Sequence, residues 1–171
     1  MIVRRESPED VAAARAVQVA AFRKPGVSDE PVEAPLLDAL RACDGWLPAL
    51  SIVAEIDGAV VGHAVTTRGF VGDVPVVALG PIGVSPSLQH KGIGLALVHA
   101  TIGAAEALDE PLIALLGSPD YYSRFGFVVS STFDIAPPDP TWGQHFQVRT
   151  LSAYRADITG QFRYAAPFDD L

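Results

Sequence analysis

A chain of 171 residues is long enough for one domain and short for two. With 49% hydrophobic and 19% charged residues it should bury a real core, which excludes a disordered segment. Twenty acidic residues against 12 basic give a formal net charge of -8, and the lysines are only Lys24 and Lys91, so no basic stripe exists and nucleic acid is not an expected partner.

Ile2-Val3-Arg4 reads as a first strand. Ser7-Pro8-Glu9-Asp10 then supplies an N-cap, a proline at the first helical position and acidic residues in the first turn, and Val11, Ala14, Val17 and Ala21 form an apolar stripe that predicts a helix to about Phe22. Leu36, Leu37, Leu40 and Cys43 share one face of a second helix that stops near Gly45. The lone Cys43 has no partner for an internal disulfide or a zinc cluster, so a reducing cytoplasm is the expected compartment. The first residues lack the apolar run of a signal peptide, and nowhere do about 18 uncharged apolar residues run together, so no membrane partner is expected.

Leu50 to Ile56 and Ala59 to Thr67 are β-rich runs around Asp57-Gly58, a strong hairpin signal. Val74 to Val84 is a third strand, and Gly80-Pro81 and Gly83 within it predict a bulge and an end open to a ligand. A helix over Gly92 to Leu108 and a buried strand over Leu112 to Leu116 complete a βαβ unit. Pro119 to Phe125 reads as a short helix, Phe127 to Ser131 and His145 to Leu151 as strands, and Ala136 to Pro140 as a stiff loop. The tail from Tyr154 to Leu171 is too short to fold alone and is expected to drape over the domain.

Gln89-His90-Lys91-Gly92-Ile93-Gly94 joins the third strand to its helix, so its glycines fall at a helix N-terminus. Unpaired N–H groups and the positive helix end there favour a phosphate or pyrophosphate, and a missing Cβ lets the backbone come close. Lys91 adds local positive charge, and a protonated His90 would add to it. A P-loop needs Ser or Thr after Gly-Lys, whereas Lys91 precedes Gly92 and no hydroxyl follows. A dinucleotide fingerprint needs Gly or Ala where Leu97 stands, which leaves a nicotinamide oxidoreductase as a distant reading.

The remaining pattern, Gln89-x-x-Gly92-x-Gly94 after a bulged strand, resembles the pyrophosphate loop of the GCN5-related N-acetyltransferase (GNAT) superfamily. Leu116 to Phe127, with Tyr121-Tyr122-Ser123-Arg124-Phe125-Gly126-Phe127, and Tyr164 to Phe168 are similar to segments of its small single-domain bacterial members. The resemblance implies an α/β (α+β) fold over 1–171, with 152–171 as a C-terminal extension. Its mixed, mostly antiparallel sheet would hold a central splayed parallel strand pair, flanked by about four helices, with acetyl-CoA as co-substrate in the notch and no metal.

By the same resemblance, Gln89, His90, Lys91, Gly92, Ile93 and Gly94 would hold the pyrophosphate, and Ile82, Gly83 and Val84 would pair with the pantetheine arm as an added strand. A backbone N–H near Gly83-Val84 would face the thioester oxygen, and Tyr122 would protonate the departing thiolate. Tyr121 would pack beside it, and Ser118 stands near the position where many members carry a pantetheine-binding asparagine. A primary amine must be neutral to attack, which calls for a base; Glu55 and His63 on the hairpin strands are the first candidates, with Asp73, Asp134 and His145 as further ones. Trp46, Trp142 and Phe146 are candidates to shape an acceptor pocket. The expected function is acetyl transfer from acetyl-CoA to a small-molecule or protein amine, for which the acidic chain favours a cationic acceptor, and edge strands near the C-terminus are compatible with a homodimer. The alternative is a non-catalytic acyl-CoA sensor of the same fold.

Overall fold

The computed structural model describes residues 1–170; Leu171, the last residue of the expected extension, lies outside the described residues. One sheet runs through the molecule in the order β1 (Ile2–Arg5), β2 (Ser51–Ile56), β3 (Ala59–Val71), β4 (Val74–Val84), β5 (Leu112–Leu116), β8 (Phe146–Thr150), β6 (Val128–Val129). Along this order the neighbours are antiparallel except β4 and β5, which are parallel as the βαβ pattern requires. The β2–β3 hairpin turns at Asp57-Gly58, both with positive φ (51° and 79°), the backbone that an Asp-Gly turn supplies at least cost.

Helices cover both faces. α1 (Val11–Phe22) and α2 (Glu33–Ala42) lie on one, and α3 (Ile93–Ala107) on the other. α3 approaches β3 so closely that a Cβ on Gly62 would stand 2.9 Å from Ile93 and 3.0 Å from Leu97. Leu97 is fully buried there, a gain of about 2 kcal/mol. The first turn expected of α1 is a separate 3-10 segment, Pro8–Asp10, in which the Asp10 carboxylate accepts the Ser7 N–H at 2.8 Å.

The C-terminal part departs most from expectation. The tail supplies a strand, β9 (Gly160–Arg163), which pairs with β3 at Phe70 and Val71 and with β7 (Ile135–Ala136). β2 and β9 thereby share one edge of β3, which runs past Thr67 to Val71 because a second partner lies alongside it. β6 is only Val128–Val129, since Ser130–Phe133 turns off as a 3-10 segment. Pro140–His145, beyond the proline loop, is also 3-10, and its Asp139 cap accepts the Thr141 N–H at 2.8 Å.

Candidate active site

The turn into α3 is built as its glycines suggest. Gly92 caps the helix with φ 83°, and His90 also takes a left-handed conformation with φ 61°. The first N–H groups of α3 have no intrahelical acceptor, and Ala96 is the first to bond back, to the Gly92 carbonyl at 3.0 Å. Gln89 holds the turn against the strand by donating from Nε2 to the Val84 carbonyl at 3.1 Å.

β4 and β5 are paired only at Val77–Ile113 and Ala78–Ala114. Beyond those pairs they part, and the β3–β4 register slips between Ala64 and Thr66, opposite Gly80-Pro81. The bulge thus lies where the glycines and proline placed it. Past it, Ser85 donates its N–H to the Val61 carbonyl at 2.9 Å, on the β3 side. Alternation along the strand turns the Gly83 amide to β3 and the Ile82 and Val84 amides to the open notch.

Two cavities meet in this notch. One, of about 660 Å³, runs from Ile82, Gly83 and Val84 past Gln89, His90, Gly92 and Gly94 to Tyr121 and Arg124. The other, of about 910 Å³, is walled by α1, α2 and the C-terminal segments. Phe22, Ile82 and Tyr122 line both, so Tyr122 stands at the junction. It belongs to α4 (Pro119–Tyr122), whose Tyr121 and Tyr122 N–H groups donate to the Ser118 carbonyl at 3.1 and 3.0 Å. The Tyr122 ring packs edge-on against Tyr121 at 4.9 Å and Phe127 at 5.8 Å. Burial pushes its phenol up to about 12, helped by Tyr121, so it stays protonated at neutral pH.

Residues 16–127, more than half of the chain, match the model of the acetyltransferase (GNAT) family. The chain belongs to the GNAT acetyltransferase family. The chain is 32% identical over 143 residues, 79% of each sequence, to the uncharacterized N-acetyltransferase YjhQ of Escherichia coli strain K12. A GNAT-family acetyltransferase of Brucella melitensis, solved with acetyl-CoA, superposes with a TM-score of 0.79 at 32% identity, covering 98% of this chain and 97% of that one. The Escherichia coli N-acetyltransferase YhbS, solved with CoA, gives a TM-score of 0.84 at 26% identity over 98% of this chain and 91% of its own.

Within this GNAT fold the structure brings together Ile82, Gly83, Val84, Gln89, His90, Gly92, Gly94, Tyr121 and Tyr122. Lys91 belongs to the same exposed turn without lining the cavity, and the Ile93 side chain is core, 2% exposed, so only its backbone N–H is available. Ser118 caps α4 through its carbonyl and lines neither of the two cavities.

Neither of the two expected bases, Glu55 and His63, lines either of these two cavities. The Glu55 carboxylate accepts from Arg4 at 2.8 Å, and Arg4 also grips Asp10. His63 is fully buried, its Nε2 3.0 Å from Ser51 Oγ and its Nδ1 2.9 Å from Gln18 Nε2. Burial lowers its pKa against the opposing pull of Glu6, so it stays neutral inside the core. Asp73, Asp134 and His145 stay outside as well. Of the three aromatic candidates only Trp142 lines the larger cavity; Phe146 is wholly buried and Trp46 stacks under Arg41 at 4.8 Å. Arg124, which crosses the Tyr121 ring at 5.0 Å and lines the smaller cavity, was missed, although it stands in the Tyr-Tyr-Ser-Arg-Phe motif itself.

Proposed function

We propose that this GNAT protein transfers the acetyl group of acetyl-CoA to a primary amine by direct attack. The observation that carries the reading is the meeting of the two cavities at Tyr122 and Ile82, with a helix N-terminus behind one and a separate pocket behind the other. The smaller cavity fits the co-substrate. The N–H groups of the Gly92–Gly94 turn and the Arg124 guanidinium suit a pyrophosphate, and the outward Ile82 and Val84 amides suit a pantetheine arm laid alongside β4.

The amine enters from the larger cavity as the neutral base. Its nitrogen forms the new bond to the acetyl carbon, the carbon–sulfur bond breaks, one proton leaves nitrogen to solvent and one reaches sulfur. An amide of β4 facing the notch stabilises the charge that develops on the carbonyl oxygen. Tyr122, kept neutral by burial, hands its proton to the departing thiolate and recovers one from water. No acyl-enzyme is needed, so Cys43, away from both cavities, has no role in the step. The placement of Glu55 and His63 outside both cavities favours the sensor alternative, but a coenzyme sensor has no use for the second cavity. Thiol release from acetyl-CoA should depend on added amine and fall about 100-fold in Tyr122→Phe with coenzyme affinity retained. Tight coenzyme binding with no amine-dependent release establishes the sensor instead.

A further inference from the structure

The larger cavity has a chemistry of its own. Its volume, about 910 Å³, lies in the range of small-molecule sites. Tyr164 is the hub of an aromatic wall, with ring centroids 4.8 Å from Phe162, 4.6 Å from Phe168 and 6.2 Å from Trp142. Burial pushes the Tyr164 phenol up, so this wall is uncharged at neutral pH.

Three carboxylates stand around that apolar space: half-buried Glu33 in the first turn of α2, half-buried Asp139 in the proline loop, and exposed Asp169 near the C-terminus. None of the three is in an ion pair among the described residues. Asp139 is fixed, since its Oδ1 accepts both the N–H and the hydroxyl of Thr141, at 2.8 and 2.7 Å, which holds its carboxyl below the ordinary range. The one cation of the lining, Arg163, is engaged elsewhere: it donates to the Gly72 carbonyl at 2.9 Å and lies over the Phe70 ring at 5.4 Å. The carboxylates line only the larger cavity, apart from the junction at Tyr122.

We infer, resting on the acetyl-transfer reading above, that the acceptor is a small diamine with a bulky apolar or aromatic body. One neutral amine reaches the junction at Tyr122, the body lies on the Tyr164, Phe168 and Trp142 rings, and a second, protonated amine is held by Glu33, Asp139 and Asp169. An ammonium over such rings gains from the ring quadrupole as well as from the carboxylates. The reaction yields the monoacetylated diamine and free CoA thiol, and the distal charge is retained.

The test compares four acceptors at fixed acetyl-CoA: 1,4-bis(aminomethyl)benzene, 4-methylbenzylamine, 4-(aminomethyl)benzoate and 1,4-diaminobutane. The aromatic diamine should exceed the monoamine by about tenfold in kcat/KM, one charge-assisted contact's worth, and the carboxylate by about 100-fold. The aliphatic diamine should fall behind the aromatic one through KM. In Asp139→Asn combined with Glu33→Gln the diamine-to-monoamine ratio should drop about tenfold. Equal rates for diamine and carboxylate, or an unchanged ratio in the double variant, overturn the inference while leaving acetyl transfer standing. If no amine turns over, calorimetric titration of the same acceptors into CoA-saturated protein decides separately. A preserved ranking then upholds the diamine pocket and refutes acetyl transfer, and no discrimination refutes both.

Discussion

A single methyl group at Gly117 should disable the site without touching either cavity directly. The Gly117 Cβ would stand 2.8 Å from Tyr122 Cδ2 and still closer to Cε2, so glycine is needed here for the close approach of the ring. Ordinary carbon–carbon contact begins at about 3.5 Å, so in Gly117→Ala the ring must retreat by about 1 Å. A displacement of about 1 Å costs up to about 100-fold in a positioned catalytic step. The expected result is a 10- to 100-fold lower kcat by roughly that argument, nearly unchanged CoA affinity, and an overpacking penalty of about 1–3 kcal/mol in stability. Amine-dependent thiol release gives the rate, calorimetry the affinity and thermal melting the stability. The double variant Gly117→Ala with Tyr122→Phe decides the cause, because two changes acting through one hydroxyl cannot add. It should be no slower than Tyr122→Phe alone. Full additivity, or a kcat within twofold of wild type in Gly117→Ala, would refute the role given to the Tyr122 hydroxyl.

Other expectations concern separate parts of the molecule. With the Tyr122 phenol raised to about 12 by burial, the rate should show no fall from its ionisation up to about pH 10, where an ordinary tyrosine is already half ionised; a descending limb centred near pH 9 that disappears in Tyr122→Phe contradicts this. Arg124→Ala should weaken CoA binding about tenfold and flatten its salt dependence, as loss of one phosphate contact does, with melting temperature little changed. Glu6 is a structural counterpart. Burial alone would raise its carboxyl, but bonds from His63, Ser51 and Arg41 overcome this and bring it from 4.5 to about 2. Its folded value is the lower one, so the stability it contributes is complete above about pH 4.5 and is lost as pH falls toward 2. Glu6→Gln should cost about 3 kcal/mol at pH 7 by melting or urea titration, and the deficit should shrink with acid across that window.

What the sequence disclosed about this site was mostly local. Gln89, Gly92 and Gly94 declare a helix-entry turn because positive φ and exposed N–H groups restrict the residues that fit, and Gly80-Pro81 declares a bulge for similar reasons. The Asp57-Gly58 turn and the parallel β4–β5 pair were legible on the same grounds. The partners of Glu55 and His63 were not legible, because a strand pattern gives the face of a side chain but not what it meets. Arg4, from β1, takes Glu55, and Gln18, from α1, takes His63, both from far along the chain. The larger cavity was the least visible. Glu33, Asp139 and Tyr164 come from three separate segments that meet only after β9 joins β3, and β9 itself, four residues long, leaves almost no periodic signal.

Product analysis by mass spectrometry tests the central claim most directly: wild-type protein with acetyl-CoA and 1,4-bis(aminomethyl)benzene, following acetylated amine and free thiol together. The expected result is one acetyl group on amine nitrogen for each thiol released, no acetylated protein along the way, and a rate about 100-fold lower in Tyr122→Phe. Thiol release without acetylated amine, or coenzyme bound tightly and left intact, would contradict the transfer.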